Sequence, residues 1–201
     1  MDFSKVKAAL EARQFEVSTF ATAADAAAYL NRQIDGVTVS FGGSVTLKEM
    51  GVLDTLAKHN KMSDYWNVPE GMDEEKNRIA SMTSDVYLTS VNGLAETGEI
   101  INIDGTGNRV SGELFGHKKV YFVVGRNKLA PTYDEALWRA RNIASPKNAQ
   151  RLGMKTPCAV KADRCYNCKS PERICRGLVV LWERMKSCEM ELVLIDEDLG
   201  Y

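Results

Sequence analysis

Between Lys119 and Gly125 the chain reads Val120-Tyr121-Phe122-Val123-Val124, with no charged or amide side chain in the run. A strand with one wet face would alternate polar and apolar residues. This one does not, so both of its faces must be covered, as in a parallel sheet flanked by helices. No other segment restricts the possible architectures as strongly.

The neighbouring segments supply the layers that such a strand needs. Phe3, Val6 and Leu10 have helical spacing, and residues 23–30 form an alanine-rich helical stretch. Residues 46–58 return to helical spacing through Leu47, Met50, Leu53 and Leu56, with a break expected at Gly51. Residues 73–82 and 133–144 are further helices, the latter with Asp134 and Glu135 in its first turn, where they complement the helix dipole. Residues 15–20, 36–40, 85–89, 177–182 and 191–195 read as strands, and 99–103 as half of a hairpin or bulged pair. Helices alternate with strands, which predicts an α/β sheet covered on both faces. At 201 residues one domain suffices, spanning 1–201. Residues 146–176 hold little apolar periodicity and are expected to be an irregular, cysteine-containing excursion.

Lysine and arginine number 26 against 27 acidic residues, for a formal charge of −1. That balance offers no basic field for nucleic acid or an acidic membrane. The longest apolar runs fall far short of the roughly 20 residues that span a bilayer. Charges at Asp2, Lys5, Lys7, Glu11, Arg13 and Glu16 interrupt what a secretory leader would keep apolar. A cytoplasmic protein is expected.

Three constellations carry chemistry. The first is Ser40-Phe41-Gly42-Gly43-Ser44-Val45-Thr46, which leaves a buried strand and enters a helix. Glycine permits close approach of a ligand to backbone, and Ser44 and Thr46 add hydroxyls suited to a carboxylate or phosphate. Ser44 as a plain helix N-cap explains the same residues. The Gly-Lys-Ser/Thr of a phosphate-binding P-loop and the dinucleotide fingerprint are both missing.

The second constellation flanks one short strand. It comprises Asn92-Gly93-Leu94-Ala95-Glu96-Thr97-Gly98-Glu99 and Asn102-Ile103-Asp104-Gly105-Thr106-Gly107-Asn108-Arg109. Glu96 is the acid/base or nucleophile candidate. Asp104, Gly105, Thr106 and Asn108 are ligand-binding candidates, and the planar fork of Arg109 suits a carboxylate. Turn dipeptides with solvated charges are the plainer explanation.

The third is Cys158-x6-Cys165-x2-Cys168-x6-Cys175. Four thiols at symmetric spacing meet the requirement of tetrahedral zinc or of an iron–sulfur cluster, though the spacing is that of neither a common zinc ribbon nor a bacterial ferredoxin. A redox-active Cys165/Cys168 pair is the rival, and ordinary buried thiols are the simplest alternative. Cys188 stands apart. His59 and His117 are the only histidines and are assigned no catalytic role.

Taken together, these pieces resemble the LUD (lactate-utilisation) domain family. The matching segments are Gly42 to Leu47 with Glu49 and Gly51, the two loops of the second constellation, Val123-Val124-Gly125-Arg126-Asn127-Lys128, and Arg141-Asn142-Ile143-Ala144-Ser145-Pro146. The resemblance implies a three-layer α/β/α sandwich of the NagB/RpiA/CoA-transferase class, whose members bind phosphorylated sugars or acyl-CoA above the sheet. It also implies a possible redox protein partner, because lactate-oxidising members work beside iron–sulfur subunits. The cysteine tail resembles that of a stand-alone subgroup. Two functions are therefore expected to compete: conversion or binding of a small anionic metabolite, and a non-catalytic role in electron transfer, regulation or zinc-stabilised binding.

Overall fold

The computed structural model describes residues 2–201. Helix α1 (Ser4–Ala12) leads into β1 (Glu16–Phe20), α2 (Ala23–Gln33) into β2 (Thr38–Phe41), and the pair α3 (Val45–Glu49) and α4 (Val52–Leu56) into β3 (Lys61–Asp64). Helix α5 (Glu74–Met82) precedes β4 (Val86–Thr89), followed by the short strands β5 (Gly93–Ala95) and β6 (Ile100–Asp104). Then come α6 (Asn108–Leu114), β7 (Lys119–Gly125), β8 (Leu129–Ala130), α7 (Tyr133–Arg139), α8 (Ser145–Arg151), α9 (Pro157–Lys161), β9 (Gly177–Leu181) and β10 (Glu189–Ile195).

Local chemistry sets several of these boundaries. Thr22, Asp73 and Thr132 cap α2, α5 and α7 by accepting from Asp25, Lys76 and Glu135 backbone N–H groups. Each such cap is worth about 1 kcal/mol. Gly51, at φ +62°, separates α3 from α4 at the break expected from its sequence position.

Six strands form a fully parallel sheet in the order β1-β10-β7-β4-β2-β3. The apolar run of β7 lies inside it. Val120, Phe122 and Val124 point to one face, with Met190, Leu192 and Leu194 of β10 and Val6 and Leu10 of α1. Tyr121 and Val123 point to the other, with Ala26 and Leu30 of α2, Leu47 of α3, and Val52 and Leu56 of α4. Burying each large side chain contributes about 1.5–3 kcal/mol, which is why this run fixes the layers.

The remaining strands build a second sheet, β8-β5-β6-β9, which departs from the expectation of one sheet. Its β5–β6 and β6–β9 pairs are antiparallel, and β5 pairs β8 in parallel. Leu94, Ile100 and Leu181 turn one face of it into the core shared with α1 and β7. Its opposite face carries Ala95, Ile101 and Ala130, against Ala136 and Ala140 of the helix that follows. Small side chains let that helix come close: a Cβ on Gly93 would sit 2.5 Å from the Ala136 carbonyl oxygen. The result is a three-layer α/β/α sandwich whose one outer layer also houses the small sheet.

The expectation that residues 146–176 are irregular needs correction. Helix α7 continues through a π turn (Ala140–Ala144) into α8, carrying the helical path past Pro146 to Arg151. Proline lacks an N–H and crowds the carbonyl four residues back, which normally ends a helix. The wider π turn accommodates it, and Ser145 Oγ donates to the Ala140 carbonyl at 2.9 Å. A further short helix, α9, includes Cys158, so the coil proper runs from 162 to 176. Among the described residues no helix is long and apolar enough to cross a membrane.

Candidate functional site

A cleft of about 420 Å³ opens where the turn after β2 meets the turn after β6. Gly43, Ser44 and Thr46 line it from one side, and Asp104, Gly105, Thr106, Asn108 and Arg109 from the other. The face of α8 closes a third side through Ser145, Asn148 and Arg151, and the last residues, Gly200 and Tyr201, a fourth. Two polar constellations far apart in sequence therefore share one cleft, at the carboxyl end of β2. A cavity of this size holds a small metabolite.

Most of the loop polar groups are already engaged in holding the loops. Both carboxylate oxygens of Asp104 accept backbone N–H groups: Oδ1 from Gly105 (2.6 Å) and Thr106 (3.2 Å), Oδ2 from Arg109 (3.1 Å) and Val110 (3.2 Å). That is the work of a turn and helix cap, and it leaves no lone pair for a cation or a proton relay. The Arg109 guanidinium donates to Asn102 Oδ1 (2.5 Å), Ile103 O (2.6 Å) and Asn92 Oδ1 (3.1 Å). Its fork is thus turned inward rather than toward a ligand. Gly42 lies behind the cleft. A Cβ there would meet Arg109 Cγ and Tyr87 Oη at 2.8 Å, so this glycine makes room for the arginine stem and not for a ligand. Ser44 caps α3, accepting from Leu47 N at 3.3 Å, while also lining the cleft.

Lys128 is a buried cation at the cleft to which no carboxylate hydrogen-bonds among the described residues, although the charge of Glu49 acts on it. It is only 3% exposed. Its Nζ donates to Thr46 Oγ1 and to Ser90 Oγ, both at 2.7 Å. Burial, reinforced by the Arg139 and Arg109 guanidinium groups, pushes its pKa down to about 7. Ser90 is fixed in turn by donating to the Val123 carbonyl at 2.6 Å, at the end of β7. Behind Arg109 sits Glu113 of α6, fully buried, accepting from Asn102 Nδ2 at 2.8 Å. Burial raises its pKa to about 7 despite Arg109 nearby. Its second oxygen, Oε2, has no hydrogen-bond partner. Arg139 donates to the Asn127 and Asn92 carbonyls at 2.7 Å each and so ties the residue before Lys128 to the turn ahead of β5.

Glu96 is not brought to this cleft. It lies in the hairpin turn between β5 and β6, 29% exposed, ion-paired with Lys5 at 2.7 Å. Asp104 ends β6, which spans about 13 Å from Ile100 at the ordinary rise per residue of a strand, and Glu96 lies beyond the opposite end of that strand. Its expected place as acid/base beside the anion loops is therefore corrected by the strand that separates the two turns.

Residues 3–195 match the family description of the LUD domain. The chain belongs to the LUD domain family. This family is related to lactate-utilisation proteins. Among solved structures, the LUD chain is similar to a DUF162 family protein from Deinococcus radiodurans, with a TM-score of 0.54 at 11% identity over 97% of this chain and 99% of that one. Identity that low shows a shared fold only. A ribose 5-phosphate isomerase from Plasmodium falciparum overlaps 54% of the LUD chain and 52% of its own, at 15% identity and a TM-score of 0.34. No curated protein matches the sequence.

Sequence reasoning missed Lys128, Ser90, Asn148 and Arg151 of the LUD cleft. For Lys128 the available signal was position: a lysine three residues past the end of β7, within the segment Val123 to Lys128 that carried the family resemblance. For α8 no signal existed, because Pro146 reads as a stop. The four spaced cysteines lie on the far side of the cleft wall. Cys158, Cys165 and Cys175 line a second cavity of about 250 Å³ together with Arg141, Arg173 and Arg176. Among the described residues no three His, Cys, Asp or Glu side chains are already gathered closely enough to hold a metal ion. Cys188 is separate and packs in the core shared by α1 and β10. His117 is buried against the Tyr87 ring at 4.8 Å, and His59 bridges Asp35 and Asn31 on the surface, so neither approaches the cleft.

Proposed function

We propose that this LUD domain protein binds, and in its cellular setting converts, a small carboxylate or phosphorylated metabolite of lactate-type organic-acid metabolism in the cytoplasm. The observation that carries the reading is Lys128. A buried amine with only hydroxyl partners is energetically unsatisfied as a cation, and among the described residues no carboxylate pairs with it. An anionic ligand in the cleft supplies the missing charge. Arg151, at the same wall, adds a second cation, held by Asn148 and Tyr201. Anion binding then raises the lysine pKa, so the complex takes up a proton above neutral pH.

The test is a thermal-shift screen with lactate, pyruvate, sugar phosphates and acyl-CoA esters, repeated on Lys128→Met. A ligand at a hundred times its Kd adds about 2.7 kcal/mol, or roughly 5–10 °C for a chain this size. The variant should lose that shift. If no anion stabilises the wild type, or the variant responds equally, the reading is wrong.

A further inference from the structure

We propose that Cys158, Cys165, Cys168 and Cys175 form a four-thiolate metal centre, built against the outer wall of the ligand cleft. Three of the four thiols already open into one cavity, and the fourth lies on the same short stretch of coil. Arg173 spans the group, its Nη1 donating to the Cys168 carbonyl at 3.0 Å and its Nη2 lying 3.4 Å from Cys175 Sγ.

The turn between Cys165 and Cys168 is shaped for a sulfur ligand. Asn167 takes φ +47°, a left-handed conformation that asparagine tolerates, and its backbone N–H donates to Cys165 Sγ at 3.4 Å. Such a bond from the residue two positions on steadies a thiolate. Ala162, left-handed at φ +54°, ends α9 as its C-cap with its N–H donating to the Cys158 carbonyl, and so turns the chain from Cys158 toward Cys165.

Charge points the same way. Four thiolates around one divalent ion, or around a cluster of comparable charge, leave a dianion. The cavity presents three guanidinium groups, Arg141, Arg173 and Arg176, to meet it. Arg141 Nη2 lies 3.9 Å from Cys165 Sγ. The sulfurs must still close in by rotation and by movement of the coil. Residues 162–176 carry no sheet ladder, so closure breaks no strand pairing.

The place of the centre gives it reach. Ile103 and Ser145 line both cavities. The Arg176 N–H donates to the Asp104 carbonyl at 2.9 Å, and a Cβ on Gly105 would lie 2.6 Å from the Ile174 carbonyl oxygen. Drawing the thiols together fixes residues 174–176 and, through them, the Asp104–Gly105 turn of the cleft.

The experiment uses the full chain, purified without air and analysed for zinc, iron and acid-labile sulfide, then stripped and titrated with cobalt(II). Zinc marks a single-ion site, and iron with sulfide marks a cluster; either supports the proposal. Cobalt should saturate at one equivalent, with the near-ultraviolet sulfur-to-metal band and intense visible bands of tetrahedral thiolate coordination. Cys188→Ser should keep those bands, Cys168→Ser should weaken and shift them, and Cys165→Ser/Cys168→Ser should abolish them while retaining the wild-type circular dichroism. Absence of metal with weak octahedral cobalt bands overturns the proposal. So does survival of the bands in the double variant, or an air-free protein in which Cys165 and Cys168 are already joined as a disulfide.

Discussion

Replacing Lys128 by methionine isolates the effect of the buried ammonium. In the folded protein its pKa is about 7, against an ordinary value of 10.5. The difference of 3.5 units corresponds to about 5 kcal/mol of penalty for carrying the charge inside. Below pH 7 both folded and unfolded chains hold the proton, and the full penalty is present. Between pH 7 and 10.5 the unfolded chain binds more protons than the folded one, so stability rises with pH. Integrating between pH 7 and 9 gives a gain of about 2 kcal/mol for the wild type from this group alone. Methionine fills nearly the same volume and cannot titrate, though it strands the hydroxyls of Thr46 and Ser90 at a cost of about 1 kcal/mol each. That cost is the same at every pH. Urea unfolding of both proteins at pH 7, 8 and 9 should therefore show the variant's relative stability falling by about 2 kcal/mol across the range. All other groups are common to the two proteins and cancel in the difference. A difference that stays constant with pH would mean that Lys128 is not a buried, unpaired amine, and the argument for an anion site would lose its base.

Glu113→Gln removes the opposite case, an acid whose folded pKa of about 7 lies above its ordinary 4.5. The folded chain keeps that proton between pH 4.5 and 7, so the wild type loses stability as pH rises through the interval; melts at pH 5 and pH 8 should show the variant gaining about 3 kcal/mol relative to wild type at the higher pH. Gly93→Ala drives a Cβ to 2.5 Å from the Ala136 carbonyl oxygen, and equilibrium unfolding should register a loss of about 1–3 kcal/mol as α7 is pushed off the small sheet. Glu96→Gln breaks only a solvated pair with Lys5, so stability should change by less than about 0.5 kcal/mol and any ligand-induced thermal shift should be unaltered. An equal loss of ligand response in Glu96→Gln and Lys128→Met would place the ligand somewhere other than the cleft.

The middle of the parallel sheet was legible because β7 and β10 are buried on both faces and so carry apolar runs, as in 120–124 and 192–195. The second sheet was not. Its strands are two to five residues long, too short for periodicity to say which sheet they join. Strand β3 reads Lys-Met-Ser-Asp, an edge strand whose polar side chains hide it. Helix α6 went unseen because Gly107 and Gly112 break its apolar pattern; Gly112 in fact admits the Tyr87 ring, whose Cζ would lie 2.6 Å from a Cβ there. The glycine-rich loops were legible one by one, but their meeting in one cleft depends on a strand order that local patterns do not encode, and so do the roles of individual side chains. Asp104 and Arg109 have ligand chemistry in isolation, and only coordinates show that backbone amides and asparagine oxygens already occupy them.

Strand β10 sits between β1 and β7, and β1 has no other neighbour in its sheet. The first strand in the sequence thus attaches to the rest through the last. During synthesis residues 16–20 can find no lasting partner until residues 189–195 have emerged, so the large sheet closes only when nearly the whole chain is available. Long sequence separation makes that step slow. Until it is complete, the apolar flank of β7 stays open to other chains.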